Sequence, residues 1–345
     1  MTEPHHARRR FLAGATASLA GLALAQLPKA AAASAPIRPA AQPPLSIKQV
    51  QTDVLDIGYH EAGPEDGRPI LLLHGYPYDI HSYAAVIPRL AAQGYRVVVP
   101  YLRAHGSTRF LNAATPRLAE QAALGQDVID LMDALHIPEA VLAGFGWGGI
   151  AACAAAALRP SRCVGLLTVN GYLLDDPAQP GPAQPADFEA RRWQRYYLAT
   201  EQGRSGLLAD RVALARRNWL AQSPHSRFDA ALFEHSAQAL DNPDHVDVVI
   251  NTHRYQLGLA AGQADYANKA AKLALLPPIT APAITLAGSL DGTVADPGSA
   301  PPAGRFTGPH RHQRLEGVGH VVPQEVPKVF AAAVTALVQQ GKWRS

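Results

Sequence analysis

The chain has 345 residues, of which 48% are hydrophobic and 17% charged, and its formal net charge is +3 at pH 7. This is the composition of a globular protein with a large core, and it excludes whole-chain disorder. Residues 1–35 hold four basic side chains against Glu3, so the remainder is formally neutral and carries no basic excess for nucleic acid or anionic lipid. Cys153 and Cys163 are too few for a disulfide scaffold or a cysteine-built zinc site.

The N-terminal segment has the features of an export signal. Residues 8–12 (RRRFL) precede a mildly apolar stretch and then a run of small residues, the order found in signal peptides. The R-R-x-F-L pattern resembles a bacterial twin-arginine signal. We therefore predict a signal peptide over 1–35, a proline-rich linker over 36–45, and a periplasmic or secreted mature protein without a stable membrane span. The alternative is a tail that is uncleaved, disordered or membrane-anchoring.

Strand and helix patterns alternate through the rest of the chain. Strands are predicted at 54–59, 69–73, 95–99, 140–143, 164–169, 283–286 and 313–318. Helices are predicted at 83–93, 117–135, 150–158 and 325–340. The alternation stops over 172–275, where the patterns are helical or proline-rich. This order predicts an α/β fold: a mostly parallel central sheet flanked by helices, formed by 46–171 and 276–342, with 172–275 inserted as a helical cap.

Four motifs follow predicted strands, at the edge where parallel sheets place their sites. They are HGYP at 74–77, GFGWGG at 144–149, GSLDG at 288–292 and GVGH at 317–320. Together they resemble the α/β-hydrolase fold, most closely the branch of epoxide hydrolases and haloalkane dehalogenases, whose nucleophile turn commonly reads G-x-D-W-G-G. The resemblance spans about residues 46–342 and implies a hydrolase that acts on a small molecule.

The resemblance implies a role for each motif. His320 corresponds to the catalytic base, and Asp291 to the carboxylate that orients it. The competing carboxylates are at 175–176. The backbone amides of Tyr76 and Trp147 correspond to the oxyanion hole, with their rings lining the pocket.

Gly146 stands where this branch has its nucleophile. Glycine tolerates the positive φ of the turn but has no side chain, so no covalent acyl- or alkyl-enzyme can form there. Three interpretations are open: water fills the vacant place and His320 activates it; catalysis is lost and the pocket binds a ligand; or the glycine replaces the aspartate of an active parent. We predict an epoxide-hydrolase-like enzyme that attacks a small or medium apolar substrate with water assisted by His320 and Asp291. A catalytically inactive ligand-binding protein is the alternative, and a cofactor-free lyase or oxygenase is a weaker third.

Substrate contacts are predicted in the helical cap. Trp193, Tyr196 and Tyr197 have the spacing of one helix face, so they either pack the cap onto the core or supply a tyrosine that donates to the substrate oxygen, as epoxide hydrolases use cap tyrosines. The arginines at 191, 192 and 195 are interpreted as the solvated face of the same helix.

His74 is interpreted mainly as a structural residue that orients the oxyanion loop, and it is kept among the candidate substrate contacts. The fourteen histidines show no metal-ligand spacing, and the glycine-rich turn lacks the Gly-Lys-Ser/Thr ending of a phosphate loop. We therefore predict neither a metal nor a cofactor.

Overall fold

The computed structural model describes residues 45–179, 181 and 183–344. The predicted signal peptide, and all of the predicted linker except Leu45, lie outside the described residues. Within the described part, nine strands form one sheet. They are β1 (Lys48–Gln51), β2 (Leu55–Ala62), β3 (Pro69–Leu73), β4 (Arg96–Pro100), β5 (Arg109–Phe110), β6 (Ala140–Gly144), β7 (Cys163–Val169), β8 (Ala283–Gly288) and β9 (His310–Leu315).

The sheet order is β1-β2-β4-β3-β6-β7-β8-β9, with β5 paired to β2. All neighbouring pairs from β4 to β9 are parallel, whereas β1, β2 and β5 pair antiparallel. The predicted α/β class is therefore confirmed. The chain leaves β3 in one direction and β6 in the other, so the crevice between these adjacent strands is the switch point where such sheets place ligands.

Helices cover both faces of the sheet. The α-helices outside the long segment between β7 and β8 are α1 (Ile87–Ala91), α2 (Gln121–Ala134), α3 (Trp147–Leu158), α11 (Val322–Glu325) and α12 (Pro327–Gln340). Leu71 and Leu73 of β3 belong to the core on the side of α2 and α3, whereas Ile70 and Leu72 belong to the core on the side of α1 and α12. This alternation follows the two-residue period of a strand, and the continuous apolar run is required because both faces are buried.

The described residues between β7 and β8 form helices and no strand. The α-helices there are α4 (Ala186–Arg191), α5 (Trp193–Tyr197), α6 (Glu201–Ala209), α7 (Arg211–Gln222), α8 (Ala230–Ala237), α9 (His245–Gln256) and α10 (Ala267–Ala274). We call α4–α10 the helical segment. Among the described residues, no helix is long and apolar enough to cross a membrane.

The short strand β5 was not predicted, and three further elements differ from the sequence prediction. The edge strand β1 has the polar sequence KQVQ, which lacks the apolar pattern of a buried strand. The helix predicted at 83–93 is a 3-10 turn over Ile80–Tyr83 followed by the short α1, which has a proline in its first turn. The last strand begins three residues earlier than predicted, because its mixed polar pattern (HRHQRL) concealed it.

Candidate active site

The turn between β6 and α3 brings the backbone of Gly146 into the crevice. Gly146 has φ +53° and ψ −128°, a conformation that side chains with a β-carbon rarely adopt. Gly148 permits the close approach of β3, because a β-carbon there would lie 2.0 Å from the Leu73 carbonyl oxygen. The turn is thus packed tightly against β3, and the N-terminus of α3 points into the site.

The structure brings Asp291 and His320 together beside this turn. His320 Nδ1 lies 2.8 Å from Asp291 Oδ2, and both side chains are buried. The other ring nitrogen, Nε2, faces Gly146, since a β-carbon built on Gly146 would lie 3.5 Å from it. Asp175 and Asp176 do not occupy the position of Asp291.

Asp291 is held in its ionised form by several donors. Asn170 Nδ2 donates to Asp291 Oδ2 at 2.7 Å, and both the amide and the hydroxyl of Thr293 donate to Oδ1 at 2.7 Å. Burial opposes ionisation, but the His320 ring and the donors on Asn170 and Thr293 outweigh it and hold the pKa of Asp291 below its usual value. The carboxylate is therefore suited to fix the Nδ1–H tautomer of His320.

The backbone around His320 is anchored to the helical segment. Ser223, which follows α7, accepts a hydrogen bond from the His320 amide at 3.0 Å and donates one to Glu325 Oε1 at 2.7 Å. Glu325 Oε2 accepts from the Gly319 amide at 2.8 Å. One side chain of the helical segment thus holds the loop that carries the histidine.

The loop after β3 supplies the second wall of the site. The Tyr76 ring stacks on Trp147 with 5.2 Å between centroids. Neither the Tyr76 nor the Trp147 amide donates to another described residue, so both are available to an oxyanion. His74 is fully buried: its Nδ1 donates to Gly75 O at 3.0 Å, and its Nε2 accepts from the Leu102 amide at 3.1 Å. His74 orients the loop and does not line the cavity, which corrects its inclusion among the substrate contacts.

A cavity of about 520 Å³ opens over Gly146 and His320, within the range of small-molecule sites. Its lining mixes apolar and polar side chains. The apolar members are Tyr76, Trp147, Ile150, Val169, Tyr172, Leu173, Ala221 and Val294. The polar members are His320, Asn170, Asp175, Arg191, Arg192, Gln194, Arg195, Asn218, Gln222, His253, Gln256 and Thr293. Gly146 and Gly292 complete the lining. The cavity therefore offers polar and charged contacts as well as the apolar surface expected from the sequence.

The predicted aromatic contacts of the helical segment lie outside the cavity lining, which corrects that prediction. Trp193 and Tyr197 pack on each other with 5.4 Å between ring centroids. Tyr196 is 45% exposed and its hydroxyl donates to Glu189 at 2.6 Å. Neither Tyr196 nor Tyr197 therefore lines the cavity as the expected hydrogen-bond donor to the substrate.

The arginine face of the same helices lines the cavity instead. Arg191, Arg192 and Arg195 all contribute to the wall, together with Gln194. Arg191 is exposed, as a solvated face predicts, but Arg192 and Arg195 are half-buried, and all three side chains face the cavity rather than bulk solvent alone.

Buried histidines surround the Tyr76 ring. His105, His245 and His253 lie with ring centroids 6.3, 5.8 and 6.0 Å from it. Burial lowers the pKa of His245 and of His253 to about 4, and it lowers the pKa of His105 well below the ordinary value. These rings are neutral at pH 7. Within the described residues, no group of three or more His, Cys, Asp or Glu side chains could hold a metal ion.

Sequence reasoning missed Asn170, Thr293 and Ser223. Asn170 directly follows β7 at the same sheet edge as the four motifs, so its position was a usable signal. Thr293 stands two residues after Asp291, a spacing typical of a local turn. Ser223 had no local signal, because its contact spans 97 residues of sequence.

Comparison with known proteins supports the architecture. The family model described as alpha/beta hydrolase fold matches residues 68–325. The chain is 44% identical to a Klebsiella pneumoniae protein provisionally named an epoxide hydrolase, whose crystal structure superposes with a TM-score of 0.81 over 85% of this chain and 97% of that one. It is 30% identical to epoxide hydrolase B of Mycobacterium tuberculosis, over 40% of this chain and 42% of that protein. It is 29% identical to the magnesium-chelatase 30 kDa subunit of Rhodobacter capsulatus, over 76% of this chain and 84% of that protein.

The chain therefore belongs to the alpha/beta hydrolase fold family, and among its relatives it is epoxide-hydrolase-like. It spans less than half the length of the epoxide hydrolase B that it matches, and about half (52%) of a Mycobacterium marinum haloalkane dehalogenase at 32% identity.

Proposed function

We propose that the protein is a hydrolase in which water activated by His320 attacks the substrate directly. The observation that carries this proposal is the missing side chain at Gly146, where a β-carbon would lie 3.2 Å from Gly75 Cα and 3.5 Å from His320 Nε2. Gly146 and His320 both line the cavity, so water can reach the nitrogen that a nucleophilic side chain would otherwise face. Asp291 holds the opposite nitrogen at 2.8 Å, which prepares Nε2 to accept a proton.

The proposed reaction is ester hydrolysis without a covalent intermediate. The water oxygen bonds to the carbonyl carbon while its proton passes to His320 Nε2, and Asp291 stabilises the imidazolium. The carbonyl oxygen becomes an oxyanion that accepts hydrogen bonds from the Tyr76 and Trp147 amides. Cleavage of the carbon–oxygen bond then releases an alkoxide, which takes the proton back from His320.

The cavity lining favours esters over epoxides. Opening an epoxide needs an acid on the ring oxygen, and Trp193, Tyr196 and Tyr197 do not reach the cavity. Tyr172 does line it, but its hydroxyl donates to Pro277 O at 2.8 Å. The free amides suit the oxyanion of an ester instead.

Replacing His320 by glutamine tests the proposal. On 4-nitrophenyl esters, we expect kcat of His320→Gln to fall about 100-fold or more and kcat of Asp291→Asn to fall about 10-fold or more, since general base catalysis contributes about 10²–10⁴-fold. His225→Gln, at an exposed loop position, is the matched control and should retain full activity. Equal activity in His320→Gln and the parent would contradict the proposal.

A ligand-binding protein without catalysis is the second candidate. Gly146 offers no nucleophile, and a relative that aligns over most of both chains is named as a chelatase subunit rather than a hydrolase. Binding of ester analogues that survives His320→Gln, with no turnover in the parent protein, would favour this candidate.

We also propose export in the folded state by the twin-arginine route. The support is the RRRFL sequence at residues 8–12 and the small-residue region after it. Replacing Arg8 and Arg9 by lysine should leave uncleaved precursor in the cytoplasm. Normal export of that variant would overturn the assignment.

A further inference from the structure

Cationic side chains concentrate on one wall of the cavity. Arg191, Arg192 and Arg195 line it from α4, α5 and the residue between these helices. Because Arg192 joins α4 to α5, three arginines within five residues reach the same space. Asp175 is the one carboxylate side chain among the described residues that line the cavity.

These arginines have few counter-charges. Arg192 has Glu189 at 4.0 Å, the limit of an ion pair. Arg195 Nη2 donates to the Gln256 carbonyl oxygen at 3.1 Å, whereas its buried Nε has no hydrogen-bond partner among the described residues. A guanidinium with an unused buried donor on a cavity wall is poorly satisfied, because its hydration is lost without a replacement.

The electrostatics of the wall agree with this geometry. Burial, followed by the charge of Arg195, lowers the pKa of the Arg192 guanidinium. Burial raises the pKa of the Asp175 carboxyl, although the charge of Arg195 opposes that change. Asp175 offsets only part of the repulsion between Arg192 and Arg195. A bound anion would relieve the rest.

We propose that the substrate of this cavity carries a carboxylate, which Arg192 and Arg195 bind while its ester group lies over Gly146. A guanidinium offers two parallel donors that match the two oxygens of a carboxylate. This proposal rests on the proposed hydrolase function for the ester, but the anion subsite stands on the arginine wall alone. It replaces the apolar substrate expected from the sequence.

The experiment compares matched charged and neutral compounds. The substrates are mono-4-nitrophenyl terephthalate and its neutral counterpart 4-nitrophenyl 4-carbamoylbenzoate, and the binding probes are benzoate and benzamide, measured by calorimetry. The variants are Arg192→Gln and Arg195→Gln, with Arg195→Lys retaining the charge. Arg204→Gln is the matched control, because Arg204 lies on α6, pairs with Asp247 at 2.5 Å and does not line the cavity.

We expect the parent protein to prefer the charged member of each pair by about tenfold or more, the equivalent of one strong ionic contact of about 1.4 kcal/mol. Arg192→Gln and Arg195→Gln should reduce this preference to less than about threefold, whereas Arg195→Lys and Arg204→Gln should retain most of it. Tighter binding of benzoate in a protein that hydrolyses neither ester would support the anion subsite and contradict the proposed hydrolysis. Equal binding of benzoate and benzamide, or an unchanged preference in both glutamine variants, would overturn the inference.

Discussion

At the scale of single residues, His320 has the contacts of a catalytic base, whereas Gly146 lacks the side chain of a nucleophile. The histidine keeps every contact that a catalytic base needs: a buried carboxylate on Nδ1, and an open Nε2 that faces the cavity. The glycine supplies no reacting atom but keeps the strained turn that aims α3 at the site. An intact base opposite a position without a side chain is the arrangement that the proposed attack by water requires.

Gly146→Asp should add a covalent route to this site. The new carboxylate would lie next to His320 Nε2, since the β-carbon position is 3.5 Å from it, and it would attack an epoxide or alkyl-halide carbon to form an ester. The positive φ should cost about 1–3 kcal/mol of stability. Mass spectrometry of the turn peptide should detect the added substrate mass, which should clear slowly in a Gly146→Asp/His320→Gln double variant.

Gly146→Ala is the matched control, since it adds a β-carbon at the same φ without a nucleophile and should acquire no mass. A folded Gly146→Asp protein that never gains substrate mass from epoxides or alkyl halides would contradict the assignment of residue 146 as the nucleophile position.

At the scale of secondary-structure elements, contacts from both the helical segment and the sheet hold His320 in position. Ser223 at the end of α7 accepts from the His320 amide and donates to Glu325, which itself accepts from the Gly319 amide. A movement of α7 would therefore move the His320 backbone, while Asp291 stays on the loop after β8.

Ser223→Ala should lower kcat more than it raises KM. The variant leaves the His320 amide without its acceptor, which should cost about 1 kcal/mol of stability and allow the ring to leave its position over Gly146. Steady-state kinetics and thermal unfolding measure the two effects. Ser205→Ala, on the exposed face of α6, should change neither. Unchanged kcat in Ser223→Ala would show that the anchor is dispensable.

The sequence predicted these elements unevenly. The buried parallel strands were located to within a few residues, because burial on both faces demands continuous apolar runs such as Ile70–Leu73. His320 and Asp291 were assigned as a pair because their motifs resemble those of the α/β-hydrolase fold, and their positions after strand ends at one edge of the sheet agree with that pairing. The sequence could not show which side of α5 faces the cavity. Its aromatic side carries Trp193 and Tyr197 and its other side carries Arg195, and either side can be buried or face water. That choice depends on a cavity formed by distant segments.

At the scale of the whole molecule, neutral buried histidines make the fold sensitive to acid. The folded-state pKa values of His245 and His253 are lowered by burial to about 4, from an ordinary value of 6.5. Between pH 6.5 and 4 the unfolded chain therefore binds protons that the folded rings do not bind. The free energy of unfolding falls as pH decreases through this window and is unaffected by these groups above it.

We expect each of these two histidines to contribute about 2 kcal/mol of destabilisation at pH 5 relative to pH 7.5. Urea unfolding at the two pH values measures the sum. His245→Asn, although less stable at pH 7.5, should lose less stability on acidification than the parent protein does. The exposed His225→Asn variant should match the parent. Equal acid sensitivity in His245→Asn and the parent would contradict the assignment of this effect to His245.

The central claim is that a water beside Gly146 attacks the substrate directly. It is tested most directly by measuring the masses of the product and of the protein during one turnover in ¹⁸O-labelled water. With enzyme in excess over a carboxylate-bearing 4-nitrophenyl ester, the account predicts one ¹⁸O atom in the acid formed in the first turnover, with no acyl-enzyme mass at any time. Unlabelled acid in the first turnover, or an acyl adduct on any residue of the chain, would contradict it.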